Sequence, residues 1–82
     1  MYYLYILKSD KYKKIYIGVS QNLSDRLVKH NKGWSKSTKP YIPWKIVYQE
    51  KYLDKRKAYK GEYYLKNPKG FLEKKSIISR FI

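Results

Sequence analysis

Tyr2 to Lys8 reads YYLYILK and Lys14 to Val19 reads KIYIGV, two runs of aromatic and branched residues separated only by the polar stretch Ser9 to Lys13. Runs of this composition without proline suit strands, and the polar stretch has the length of an antiparallel hairpin loop. A fold that starts with such a hairpin must build its sheet around it. Gly18 near the end of the second run marks a bulge or a close backbone approach beside Tyr16.

The chain has 82 residues, and eleven Tyr and two Trp dominate its apolar inventory. A chain this short buries only about 60–65% of its unfolded surface and cannot divide into two cores, so residues 1–82 are expected to form a single domain. There is no cysteine, which excludes disulfides and thiolate zinc sites and gives no sign of an oxidising compartment; the expected location is the cytoplasm. No apolar run approaches the roughly 20 residues of a membrane span, and the N-terminus lacks a signal-peptide layout, so no membrane partner is expected. Twenty Lys and Arg against six Asp and Glu leave a formal charge of +14. Such a surplus self-repels and calls for an anionic partner, of which nucleic acid is the first candidate, although acidic membranes and ribosomes are polyanions too.

Asn22 is placed as a helix N-cap with Asp25 in the first turn, and Gly33 as a stop, predicting a helix over Leu23 to Lys32. Leu23, Arg26, Leu27 and His30 share one side of it, turned toward the sheet or its edge. Gly33 to Pro43 reads as a loop able to follow a nucleic-acid backbone. Lys45 to Tyr52 is a third strand, able to be an edge, in which Ile46, Tyr48, Glu50 and Tyr52 alternate with Lys45, Val47, Gln49 and Lys51. Asp54 caps a helix over Lys55 to Asn67 with Ala58, Glu62 and Leu65 on one stripe, and Phe71, Leu72, Ile77, Ile78 and Phe81 supply a final helix. The order ββαβαα predicts an α+β fold, a small, mostly antiparallel three-stranded sheet flanked by helices.

With one His, no Cys and six acids, zinc clusters, cysteine nucleophiles and multi-carboxylate two-metal sites are excluded. Asp10, Asp25, Asp54, Glu50 and Glu73 fall at turns, caps or exposed positions, which leaves Glu62 as the acid beside the core. It either pairs with a neighbouring lysine or takes part in chemistry.

Four segments resemble, in order, the motifs of the GIY-YIG nuclease superfamily: YLYIL at Tyr3 to Leu7, YIG at Tyr16 to Gly18, NLSDRLVKHNKG at Asn22 to Gly33, and AYKGEYYLK at Ala58 to Lys66. Together they are similar to the small single-domain members of that superfamily, those related to the N-terminal nuclease domain of an excinuclease. Tyr3 stands where the superfamily name has glycine, and Val19 follows YIG where some members carry a lysine. The resemblance implies a metal-dependent endonuclease that hydrolyses phosphodiester bonds in DNA, with a place in repair or recombination. It further implies a site of Tyr5, Tyr16, Arg26, His30 and Glu62, with Glu62 as ligand to one Mg²⁺ or Mn²⁺.

Chemistry supports those roles. Arg26 offers a planar fork to two phosphate oxygens, where lysines act as point charges. Glu62 can hold one hard cation whose other ligands are water and phosphate. Tyr5 and Tyr16, on paired strands, can place two phenols near the water and the phosphate, with His30 as the alternative base. The opposing readings are core tyrosines with satisfied hydroxyls, a solvent-facing His30, and Glu62 paired with lysine in a non-catalytic nucleic-acid-binding module. Lys36, Lys39 and Lys45, interleaved with Trp34, Tyr41 and Trp44, form either a surface for stacking on unpaired bases or a solvated basic loop. DNA is expected over RNA, in a distorted, flipped or branched form, because so small a domain has little surface for reading a sequence.

Overall fold

A computed structural model of the chain describes residues 1–67, and the final helix expected over Phe71 to Phe81 lies outside them. Three strands, β1 (Tyr2–Ser9), β2 (Ile15–Ser20) and β3 (Trp44–Tyr52), form one antiparallel sheet in the order β2-β1-β3, with helices α1 (Leu23–Asn31) and α2 (Lys55–Lys66). The architecture is the expected α+β class, with β3 at an edge.

The central strand explains the apolar density of its sequence: Leu4, Tyr5, Ile6 and Leu7 are all buried because both faces of β1 are covered. Tyr5 and Leu7 point to one face, where Leu23 and Leu27 of α1 pack with Tyr16 and Ile46. Leu4 and Ile6 point to the other, where they meet Ile17, Val47 and Leu65 of α2. The sheet is thus the middle of three layers. Truncating Ile6 or Leu7 to alanine would cost roughly 2–5 kcal/mol.

The strict alternation expected along β3 is interrupted. Ile6 pairs with Tyr48 but Leu7 pairs with Ile46, so Val47 is the extra residue of a β-bulge. An inserted residue resets strand parity. Ile46 therefore joins the α1 face, while Tyr48 and Tyr52 join the α2 face. Glu50, placed by its sequence among turn, cap or exposed acids, is instead half-buried on β3 and accepts hydrogen bonds from the Tyr48 and Tyr52 hydroxyls.

Three polar side chains position the loops. Ser9 Oγ, fully buried, accepts from the amides of Lys11 and Tyr12 at 3.2 and 3.1 Å and donates to the Tyr41 carbonyl at 2.6 Å, closing the hairpin loop and tying it to the segment before β3. Asn22 caps α1 by accepting from the Asp25 amide at 3.0 Å, and the helix stops before Gly33, whose φ of 79° only glycine adopts without strain. Asn31 accepts from the Trp44 amide at 2.6 Å and donates to the Trp44 carbonyl at 3.1 Å, fastening the end of α1 to the start of β3. Among the described residues no helix is long and apolar enough to cross a membrane.

Candidate active site

The site begins at a register pair. Tyr5 of β1 lies opposite Gly18 of β2, and the Tyr5 ring crosses the space where a side chain at residue 18 would be. A Cβ there would come within 2.6 Å of the Tyr5 hydroxyl and 2.9 Å of Tyr16 Cε1. The close approach expected at Gly18 is therefore real, and it lets the Tyr5 side chain reach across the sheet toward α1.

There Tyr5 meets the two α1 residues that share a helical side. Its hydroxyl lies 3.3 Å from His30 Nε2 and within hydrogen-bonding reach of the Arg26 guanidinium. His30 Nδ1 lies 3.0 Å from Thr38 Oγ1, which donates to the Ser35 carbonyl at 3.4 Å. With the Thr38 proton directed at Ser35, Nδ1–H donates to Thr38, Nε2 is the acceptor, and the Tyr5 hydroxyl donates to it. The Tyr16 ring closes the group, 4.7 Å from the His30 ring and 6.2 Å from the Tyr5 ring, centre to centre.

Burial sets the protonation of this group. Desolvation pushes the Tyr5 phenol up to about 12, against the opposing hydrogen bond and charge of Arg26, so Tyr5 stays protonated at neutral pH. Desolvation first, and the Arg26 charge second, hold His30 below the ordinary histidine value, so the imidazole is neutral. The solvent-facing alternative for His30 is thereby corrected: the ring is only 3% exposed because the loop after α1 folds over it. Tyr5 is a core ring with a satisfied hydroxyl, as its opposing reading held, and also the hub of a polar network.

Tyr16, Arg26, Lys29, His30, Trp34 and Ser35 line an open cleft of about 340 Å³ above this group. Glu62, on α2, stands close enough for its charge to act on Tyr5. The lysine partner envisaged for it is Lys66, one turn along α2, whose Nζ lies 3.5 Å from Oε2 and 5.9 Å from the centre of the Tyr16 ring. A half-exposed i,i+4 pair of this kind is weak, worth about 0.3–0.5 kcal/mol, and leaves the carboxylate open to exchange partners. Among the described residues no three His, Cys, Asp or Glu cluster as a metal site. The donor set fits a hard cation held by one carboxylate and otherwise by water and phosphate, and does not fit an all-protein cage.

The loop residues divide. Trp34 is 71% exposed and forms a wall of the cleft, with Lys29 Nζ 5.5 Å from its ring centre. Trp44, expected among the stacking rings, is only 4% exposed; it packs with Tyr5 and Leu7 and donates from Nε1 to the Thr38 carbonyl at 2.9 Å, so no base can stack on it. Lys45 pairs with Asp10 at 3.6 Å, away from the cleft. Lys36 and Lys39 are exposed on the loop but do not line the cleft, and Lys39 folds its stem over Gly33. Sequence reasoning missed Thr38 and Lys29 and left the lysine partner of Glu62 unnumbered, although the i,i+4 spacing of Lys66 was a usable signal. Nothing local marks Thr38, whose role depends on loop folding.

Residues 1–76 match the GIY-YIG catalytic domain family. A UPF0213 protein of Clostridium perfringens is 43% identical over 67 residues, covering 80% of this chain and 71% of its own length. A UPF0213 protein of Staphylococcus saprophyticus is 39% identical over 66 residues, covering 79% of each chain. The solution structure of a UPF0213 protein from Bacillus halodurans superposes with a TM-score of 0.55 at 26% identity, covering 95% of this chain and 82% of that one.

Proposed function

Because this chain belongs to the GIY-YIG family of nuclease catalytic domains, we propose that it is a metal-dependent endonuclease that hydrolyses phosphodiester bonds in DNA, with a place in repair or recombination. The observation that carries the reading is convergence: Tyr16, Arg26 and His30, from a strand and a helix, line one cleft over the buried Tyr5 of the neighbouring strand, and the charge of Glu62 reaches Tyr5.

In this reading Arg26, the exposed cation of the group, grips two non-bridging oxygens of the scissile phosphate. Tyr16 is the phenol that reaches the cleft. Its hydroxyl gives up its own proton to solvent and its oxygen takes one from the attacking water as the new P–O bond forms and the bond to the leaving oxygen breaks; the leaving oxygen takes its proton from solvent. Tyr5, protonated and buried, is a positioning residue that holds Arg26 and His30 in place. His30, neutral and engaged through Nε2, orients the Tyr5 hydroxyl; it stands next to Tyr16 and becomes the alternative base once Nε2 is released from the Tyr5 hydroxyl. Bound at Glu62, one Mg²⁺ or Mn²⁺ supplies charge neutralisation for the phosphate and the leaving oxygen. Lys29 and Trp34 extend the cleft for the flanking nucleotide.

The Lys66–Glu62 pair favours a second reading, a nucleic-acid-binding module without catalysis. Incubation with labelled single-stranded, duplex, flap and branched DNA, and with matched RNA, in Mg²⁺, Mn²⁺ or EDTA separates the two. Cleavage that stops in EDTA supports the nuclease; binding without cleavage in either metal supports the module.

A further inference from the structure

The outer face of α2 carries two large rings that pack in neither of the core clusters formed by the described residues. Tyr59 and Tyr63, one helical turn apart, are 44% and 71% exposed, while the helix packs on the sheet through Ala58 and Leu65. Arg56 and Lys60 complete a shallow apolar groove of about 410 Å³ with these tyrosines, and among the described residues no acid lines it. Lys55 Nζ stands 5.9 Å from the Tyr59 ring centre.

This groove is continuous with the candidate active site. A second cleft, also of about 410 Å³, shares Arg26 and Lys29 with the cleft that holds Tyr16, and shares Tyr59 with the α2 groove. Its acid, Asp25, is paired with Lys29 at 3.1 Å. The three concavities therefore form one path from Trp34, past Arg26, over Tyr59 to Tyr63. Along it, cationic side chains alternate with exposed rings. A polyanion whose repeating unit also carries a flat π-face matches that pattern, because the charges neutralise phosphates and the rings stack on bases or pack on sugars. A second copy of this chain matches it poorly, since it would bring Lys55, Arg56 and Lys60 against their own like charges in a protein of net charge +14.

We propose that a nucleic-acid strand held at Arg26 continues out of the active-site cleft along α2, with Tyr59 and Tyr63 as its contacts on that flank. The proposal rests on the nucleic-acid reading above, but not on cleavage. Tyr63 is a binding residue outside the reacting centre, so it acts on affinity and on KM rather than on kcat.

The test is fluorescence anisotropy with the full chain in EDTA, using labelled DNA strands from lengths that fit the Tyr16–Arg26 cleft up to lengths that extend well past it. For the wild type, affinity rises as the strand outgrows the cleft. In Tyr59→Ala/Tyr63→Ala the long strands lose about tenfold or more, the scale of a lost base–aromatic contact, while the shortest lose little. Tyr63→Phe retains affinity because the ring remains, and Tyr12→Ala, an exposed tyrosine on the hairpin loop, matches the wild type. In Mg²⁺, Tyr63→Ala raises KM and leaves kcat unchanged. A double variant with wild-type affinity at every length overturns the α2 path even if the protein cleaves DNA. So does a concentration-dependent dimer that Tyr63→Ala abolishes. Loss of the length dependence in the variant, with no cleavage by the wild type in either metal, supports the path and overturns the hydrolytic reading instead.

Discussion

The Tyr5 hydroxyl occupies the space that a side chain at Gly18 would need, so the buried phenol and the bare backbone position opposite it are one structural feature. In Gly18→Ala the new methyl group meets two rings, Tyr5 and Tyr16, and neither moves freely: Tyr5 is 1% exposed and its hydroxyl is held by His30. The expected outcome is a loss of about 1–3 kcal/mol, as for other overpacked sites, read as a lower urea midpoint. Turnover should fall further than affinity for DNA, because displaced rings no longer hold Arg26 and His30. Unchanged turnover with lowered stability would separate the packing from the chemistry.

The two phenols should respond differently to loss of the hydroxyl alone. Tyr5→Phe leaves a buried His30 Nε2 without its donor, a cost of about 1–3 kcal/mol, whereas Tyr16→Phe should leave the melting temperature near the wild-type value. Both should lose roughly 10²-fold in turnover, the former through Arg26 placement and the latter through proton transfer. Tyr48→Phe is an unsuitable reference because its hydroxyl donates to Glu50; Tyr12→Phe, on the hairpin loop, serves instead. Full activity in both Tyr5→Phe and Tyr16→Phe would leave His30 as the base.

Glu62→Gln should abolish cleavage while binding in EDTA stays within about twofold, because the basic surface outlasts the loss of one cation ligand. Neither Mg²⁺ nor Mn²⁺ at raised concentration should restore the rate fully. Wild-type turnover in this variant would place the metal elsewhere or remove it from the reaction.

Two opposite pH effects on stability follow from the buried pair. Tyr5 titrates near 12 in the fold against 10 when unfolded, so above pH 10 the unfolded chain gives up a proton that the fold retains. Its contribution is complete below pH 10 and is lost as pH rises toward 12. His30 is held below 6.5 in the fold, so as pH drops through 6.5 the unfolded chain takes up a proton that the fold resists, and stability declines on the acid side. Thermal midpoints measured against pH should show both slopes, with Tyr5→Phe flattening the alkaline one and His30→Gln the acid one. A variant that keeps its slope would assign it to other groups.

Affinity for DNA should fall steeply with salt, since phosphates neutralised by Lys and Arg release counterions on binding. Removing Lys55 or Lys29 should reduce the slope of log affinity against log salt by about one unit each if each meets one phosphate. A flat affinity between low and physiological salt would argue against a phosphate-binding surface altogether.

Features that rest on near neighbours in the chain are legible without the fold. The hairpin, the caps at Asn22 and Asp54, the stop at Gly33 and the three strands lie within a residue of their expected limits for that reason. The close approach at Gly18 and the shared side of Arg26 and His30 belong with them, because strand and helix periodicity translate spacing into geometry. Other features exist only in three dimensions. The bulge at Val47 moves Ile46 to the opposite face from Tyr48 and Tyr52, which no alternation in the strand foretells. Burial of Trp44 and His30 depends on how the loop between α1 and β3 closes. That closure brings Thr38 to His30 Nδ1, sets the tautomer, and leaves Trp34 rather than Trp44 at the cleft. Hydrogen bonds and desolvation act between groups that meet in space, and residues 5, 30 and 38 meet only once the chain has folded.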